Sequence, residues 1–191
     1  MNKSKRNILV AISGASGSIY AKILLEKIET LKDQIENISV VFSENAKKIW
    51  QSEIGDESYN KYPCTFYENN DFSAPFASGS SKYKTMIICP ASMGIVGRIA
   101  NGYSNDLISR AADVMLKENR QLILVPRETP FSLIHIENMR KIILAGGQIC
   151  PANPSFYNHP KNINELVTTV IDRVLDLAGF QIETFRWGND L

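Results

Sequence analysis

Along the whole chain, apolar runs of strand length alternate with stretches of helical period, and that rhythm leaves few architectures open. The runs are Asn7–Ser13, Asn37–Phe42, a weak one near Thr65–Tyr67, Tyr83–Cys89, Gln121–Pro126 and Gly147–Cys150. They are near-continuous apolar blocks, the mark of strands buried on both faces, so the sequence predicts an α/β protein with a mostly parallel sheet under helices on both sides. Ser18–Lys32 gathers Ala21, Leu24, Leu25, Ile28 and Leu31 on one stripe, and Asp106–Glu118 does the same with Leu107, Ala111, Val114 and Met115. A last stripe, Leu166, Val170, Val174 and Leu177, is closed by Gly179. Between positions 56 and 82 the periodicity fades among Pro63, Pro75, Gly79 and a run of serines, which predicts a long surface excursion.

No linker or repeat divides the 191 residues, a length that suits one domain spanning 1–191. Twenty-one Lys and Arg against 20 Asp and Glu leave +1, which provides no global field for nucleic acid or an anionic membrane. Any bound anion must therefore be held locally. No apolar run approaches the ~20 residues of a membrane helix. Lys3, Lys5 and Arg6 before Ile-Leu-Val-Ala-Ile imitate a signal peptide, but the apolar core is too short and reads as a first strand. Cys64, Cys89 and Cys150 lack metal-ligand spacing and read as buried thiols of a reducing compartment, hence a cytoplasmic protein. His135 and His159 have no acidic or cysteine neighbours of the kind a metal or triad site needs.

The first strand runs into Gly14-Ala15-Ser16-Gly17-Ser18 and then a helix. In an open α/β sheet that turn lies at the carboxyl edge, where ligands bind. Its glycines allow close backbone approach, its serines offer hydroxyls, and the helix that follows points N–H groups at negative charge. The Lys of a P-loop and the third Gly of a dinucleotide fingerprint are both missing. Ser43-Glu44 after the second strand and Ser92-Met93-Gly94 after the fourth repeat the pattern, so three strand ends carry Ser or Gly. Each serine alone reads as a helix cap; their coincidence at one edge spans a mononucleotide. A cationic set adds to this: Arg110 and Lys117 two turns apart, Arg127-Glu128 after the fifth strand, and Arg173 interrupting an apolar helix. An Arg directly after a buried strand needs an anion or carboxylate. Arg173 has Glu165 and Asp176 as alternative partners, and Tyr157 offers a phenolic donor.

These residues resemble the flavin prenyltransferases of the UbiX type. The resemblance rests on AISGASGSIYA at 11–21, ASGSSKY at 77–83, CPASMG at 89–94, NDLISRAADVMLKENR at 105–120, VPRETPFSLIHIENM at 125–139, PANPSFYNHP at 151–160 and the surroundings of Arg173 and Arg186-Trp187. It implies a three-layer α/β/α sandwich with a Rossmann-like sheet. Reduced FMN is then the molecule modified, dimethylallyl phosphate the prenyl donor, and prenylated FMN the product, made for a UbiD-type decarboxylase. No metal takes part, and the implied assembly is a homo-oligomer, a dodecamer with sites between subunits. Gly14, Ala15, Ser16, Ser43, Ser92, Met93, Gly94, Ile95, Arg110 and Arg127 resemble the flavin contacts. Lys117, Tyr157 and Arg173 resemble the donor-phosphate cradle. Ser16, Glu53, Glu128 and Lys117 are the residues implied in the chemistry. One departure is Phe72, where some members carry Trp, a better cation–π face. The rival readings are an FMN-dependent peptidyl-cysteine-type decarboxylase, a non-catalytic FMN-binding subunit, and an NAD reductase with Glu44 on the ribose.

Overall fold

The first apolar run forms strand β1 (Arg6–Ile12), and its side chains divide by parity. Ile8, Val10 and Ile12 enter one core, Leu9 and Ala11 the other, as the two-residue period of a strand requires. The same division recurs where Ile87 and Cys89 part from Met86 and Ile88, and where Ile123 and Val125 part from Leu122 and Leu124. A sheet with two buried faces must be covered twice, which is the reason for three layers. The computed structural model describes residues 5–188. Lys3 of the leader-like start lies outside them, whereas Arg6 opens β1.

The remaining elements in chain order are α1 (Ser18–Thr30), β2 (Ile35–Phe42), α2 (Glu44–Ile54), β3 (Thr65–Glu68), β4 (Tyr83–Ala91), α3 (Met93–Ala100), α4 (Leu107–Lys117), β5 (Gln121–Pro126), α5 (Leu133–Leu144), β6 (Gln148–Ile149) and α6 (Ile163–Leu177). The six strands lie in the order β3-β2-β1-β4-β5-β6, and every pairing is parallel. The winding reverses between β1 and β4, and a doubly wound sheet opens its ligand crevice there. Helices α1, α2 and α6 cover the first core; α3, α4 and α5 cover the second.

One expectation needs correction, and one stretch, Ser92–Ile95, is refined. The segment 56–82 is not only a surface excursion, because Phe76 is fully buried and its ring meets Tyr67 at 5.1 Å and Tyr83 at 5.3 Å. Phe76 with Ala74 and Ala77 on one side, and Tyr59 against Phe42 at 4.5 Å on the other, hold it down without any periodicity to announce them. The stretch Ser92–Ile95 is the first turn of helix α3, whose eight residues are too few to show a helical stripe.

Candidate functional site

The seam between β1 and β4 is closed by Ser13, a residue given no role in the sequence. Its Oγ donates to Pro90 O at 2.9 Å and accepts from Ser92 N at 2.7 Å, so one buried hydroxyl fixes both strand ends. A serine ending an otherwise apolar strand was the available signal. Around the seam, Ser43 Oγ accepts from Ala46 N at 3.1 Å and Ser92 Oγ from Ile95 N at 3.3 Å. Both serines are thus helix caps, and each hydroxyl keeps its proton to donate. Ile95 is fully buried and its N–H is taken by Ser92, and Met93 packs into the second core, so neither side chain reaches the edge. Gly94 is exposed there, with nothing closer than 3.8 Å to an added Cβ.

The turn after β1 departs from expectation in one respect. Its helix N-terminus is already occupied, because Glu53, on the last turn of α2, accepts from Gly17 N at 2.9 Å and Ser18 N at 2.6 Å. Glu53 therefore supplies from another helix the cap that Gly17 cannot provide. Burial alone would raise the carboxyl pKa, but bonds from Ser16, Ser18 and Gly17 outweigh it and bring it below the ordinary 4.5. A lowered native pKa means that the stabilisation is complete above the unfolded value and disappears as pH falls through the folded one. Glu53→Gln should accordingly cost about 1 kcal/mol near neutrality, at the low end for an exposed cap. Melting temperatures of the two proteins should converge as the pH drops below 4; a constant gap down to acid would show that the charge is irrelevant.

Gly14 and Gly17 serve the same turn for different reasons. A Cβ on Gly14 would lie 2.7 Å from the Cβ of Asn45, and Gly17 has φ +110°. Gly14→Ala must push α2 away from the strand end, so FMN affinity should fall at least tenfold, as titrated by flavin fluorescence, while the cores stay intact. Unchanged affinity would place the ligand elsewhere. Ala15 is buried beneath the turn and Ser16 is exposed on it. Arg127 reaches across from β5, and its Nε donates to Ser16 O at 2.8 Å. Tyr20 Oη donates to Ala152 O at 3.3 Å, which ties α1 to the loop after β6.

That loop and α6 enclose a separate cleft of about 530 Å³, lined by Tyr157, Arg173, Asp176, Arg186 and Trp187 among others. Arg173 Nη1 donates to Asp176 Oδ2 at 2.9 Å, and the Tyr157 and Trp187 rings meet edge-on at 4.7 Å. Two members of the predicted phosphate cradle are thus together, and the third is not. Lys117 ends α4, four residues before β5 begins, and neighbouring Arg120 bonds Tyr83 O at 3.1 Å, at the amino end of β4. It stands at the opposite end of the sheet from Ser13, Ser43 and Ser92. Arg110, about 10 Å from Lys117 along the helix, donates to Ala77 O at 3.0 Å and pairs with Asp113 at 3.5 Å. Glu128 lies beside Arg127, its Oε1 accepting from Thr129 N at 3.0 Å, and does not line the cleft. Phe72 is half exposed after β3.

The other candidates have structural roles. Ser132 N donates to His135 Nδ1 at 3.3 Å in a capping box that starts α5. The three cysteines are unpaired, and burial raises the thiols, Cys64 to about 11 and Cys89 further. Glu44 pairs with Lys47. Among the described residues, no group of His, Cys, Asp or Glu could hold a metal, and no helix is long and apolar enough to cross a membrane.

A parallel sheet in this order, with hydroxyls, a glycine turn and an Arg gathered where its winding reverses, defines a doubly wound nucleotide-binding class, and the Flavoprotein family model matches residues 1–175. The flavin prenyltransferase UbiX of Methanocaldococcus jannaschii is 47% identical over 184 residues, 95% of this chain and 98% of the relative. The structure of AnUbiX (PadA1) in complex with FMN and dimethylallyl pyrophosphate superposes with TM-score 0.87 at 36% identity, covering 96% of this chain and 98% of that one. A dodecameric FMN-dependent UbiX-like decarboxylase from Escherichia coli O157:H7 gives TM-score 0.90 at 34% identity, covering 96% and 100%. The chain belongs to the flavin prenyltransferases of the UbiX type within the Flavoprotein family.

Proposed function

We propose that the chain, as one cytoplasmic flavoprotein domain, transfers a dimethylallyl group from an allylic phosphate to N5 and C6 of reduced FMN, and that a UbiD-type decarboxylase receives the product. The observation that supports it most is the pairing of two subsites on one chain. A mononucleotide edge of Gly14, Ser16, Ser43, Ser92, Gly94 and Arg127 is joined by Tyr20 to a cleft holding Arg173 and Tyr157. A simple flavin carrier has no use for the second. The edge suits FMN chemically: hydroxyl and backbone donors with one guanidinium match a phosphate monoester, and Gly94 leaves room for close approach.

Ionisation of the donor breaks its C–O bond, and the phosphate leaves with the electron pair. Arg173 and Tyr157 neutralise the departing oxygens, the work that a metal does elsewhere. The bond from N5 to the allylic carbon releases the N5 proton. The remaining alkene then takes up a proton, which breaks its π bond and leaves a tertiary cation that C6 attacks before losing its own proton. Glu53, whose carboxylate faces Ser16, and Glu128, beside Arg127, are our candidates for moving these protons.

Lys117, across the sheet from Arg173, enters this chemistry only from a second copy. The α5 surface favours such an assembly, because Leu133, Ile134, Ile143 and Leu144 are all exposed on it, a patch of the kind that marks protein contacts. The reading is tested by mass spectrometry of the flavin after anaerobic incubation with reduced FMN and dimethylallyl phosphate, with the diphosphate as a second arm. A mass gain of one five-carbon unit is expected with the monophosphate. An unmodified flavin with either donor would overturn it.

A further inference from the structure

Among the described residues, the chain beyond α6 forms no helix or strand, yet it is held at several points along its length. Phe180 is buried at its root. Gln181 N donates to Gln34 Oε1 at 2.9 Å while its O accepts from Gln34 Nε2 at 2.8 Å. Thr184 Oγ1 donates to Asp172 Oδ2 at 3.0 Å, and Arg186 Nη2 donates to Asp176 Oδ1 at 2.8 Å. Asp172 and Asp176 are four residues apart, so they stand one above the other on one face of α6. A segment pinned in this way has a defined path, and the path runs over the cleft, which Thr184, Arg186 and Trp187 help to line.

Asp176 has a second engagement. While Oδ1 takes Arg186 from the strap, Oδ2 takes Arg173 from the helix. The neighbouring guanidiniums hold this carboxyl below its ordinary value, with Arg186 contributing most, so it is ionised at neutral pH. We propose that Asp176 is a positioning residue of the cleft: it orients Arg173 before an anion arrives and latches the strap so that Trp187 roofs the cleft against Tyr157. This rests on the reading that the cleft takes the donor phosphate. The reason for such a device is that an arginine has many rotamers to lose. A carboxylate that has already ordered Arg173 lowers the entropic cost of phosphate binding.

The two tryptophans make the latch observable. Trp50 is fully buried and Trp187 is 67% exposed, so acrylamide quenching of fluorescence reports the strap. In full-length Asp176→Asn, Trp187 should become more quenchable and the KM for dimethylallyl phosphate should rise about tenfold, with kcat at saturating donor and FMN affinity within about twofold of wild type. Asp176→Glu keeps both charge-assisted bonds and should recover both readouts. An unchanged or lower KM, or unchanged quenching, overturns the proposal, since Asp176 would then be a bystander or a competitor for Arg173. If Asp176→Asn does not fold, Arg186→Gln removes the same latch from the strap side and is judged by the same two readouts. A wild type that leaves FMN unmodified overturns the donor reading instead, and the quenching comparison decides the latch by itself.

Discussion

Replacing Arg173 with alanine is expected to slow prenyl transfer at limiting donor by about ten- to a hundredfold, the equivalent of a charge-assisted contact worth roughly 1.5–3 kcal/mol. FMN affinity should stay the same, because the flavin edge lies at β1, β2, β4 and β5 and Arg173 touches none of its residues. The competing account is the ion pair actually formed: Arg173 meets Asp176 at 2.9 Å, one turn along the same helix. Such a pair on a largely exposed side chain is worth at most about 1 kcal/mol, and Asp176 keeps Arg186 when Arg173 is gone. Melting temperature should therefore move by only a few degrees. If the ion pair is all that Arg173 does, that small shift appears with normal kinetics. If the cleft binds the donor phosphate, the kinetic loss dominates. Flavin titration, thermal melting and prenyl-flavin formation on one Arg173→Ala preparation separate the two accounts, and undiminished turnover would show that the donor phosphate is bound somewhere else.

The fold was legible because burial on two faces leaves its mark on the central strands, while the edge strands β3 and β6 are short and have no fully buried residue. Ile8 to Ile12 and Leu122 to Val125 have no polar member, and only a parallel sheet between two helical layers explains that. Strand ends at one edge follow from the same parallel order, so the sequence alone groups Ser43, Ser92 and Arg127 there. What escaped depends on contacts between elements distant in sequence. Glu53 lies at the far end of α2, and nothing in its neighbours reveals that it caps α1, 35 residues earlier. Phe76 sits in a serine- and proline-rich stretch whose composition suggests solvent, but one large ring outweighs it. Met93 and Ile95 fell in the right turn, yet the direction of a short helix sends their side chains into the core. Arg110 and Lys117 show the sharper limit: a spacing of seven fixes two residues to one helix face but not to one end of the sheet.

That last separation makes a prediction about mixed assemblies. Lys117 is on α4, which covers one face of the sheet, and Arg173 is on α6, which covers the other, so the two do not address one phosphate within a single chain. If both are needed, Lys117→Ala and Arg173→Ala should each be crippled as homo-oligomers. Unfolding and refolding an equimolar mixture should restore activity, because some sites then draw Lys117 from one copy and Arg173 from the other. With one residue from each of two copies and random assembly, roughly a quarter of sites are intact, and the mixture should approach that fraction of wild-type turnover. The apolar face of α5 gives the independent control: Leu133→Asp with Ile134→Asp should break the assembly, and with it the activity of the otherwise wild-type chain, without lowering FMN-independent folding of the monomer. No recovery in a mixture that native mass spectrometry shows to be fully exchanged, or an active monomer, would mean that Lys117 serves only the solvated end of α4. Recovery near a quarter would make the donor site a property of the interface, and would explain why a cleft with Arg173 and Tyr157 already in place still needs a partner to complete its charge.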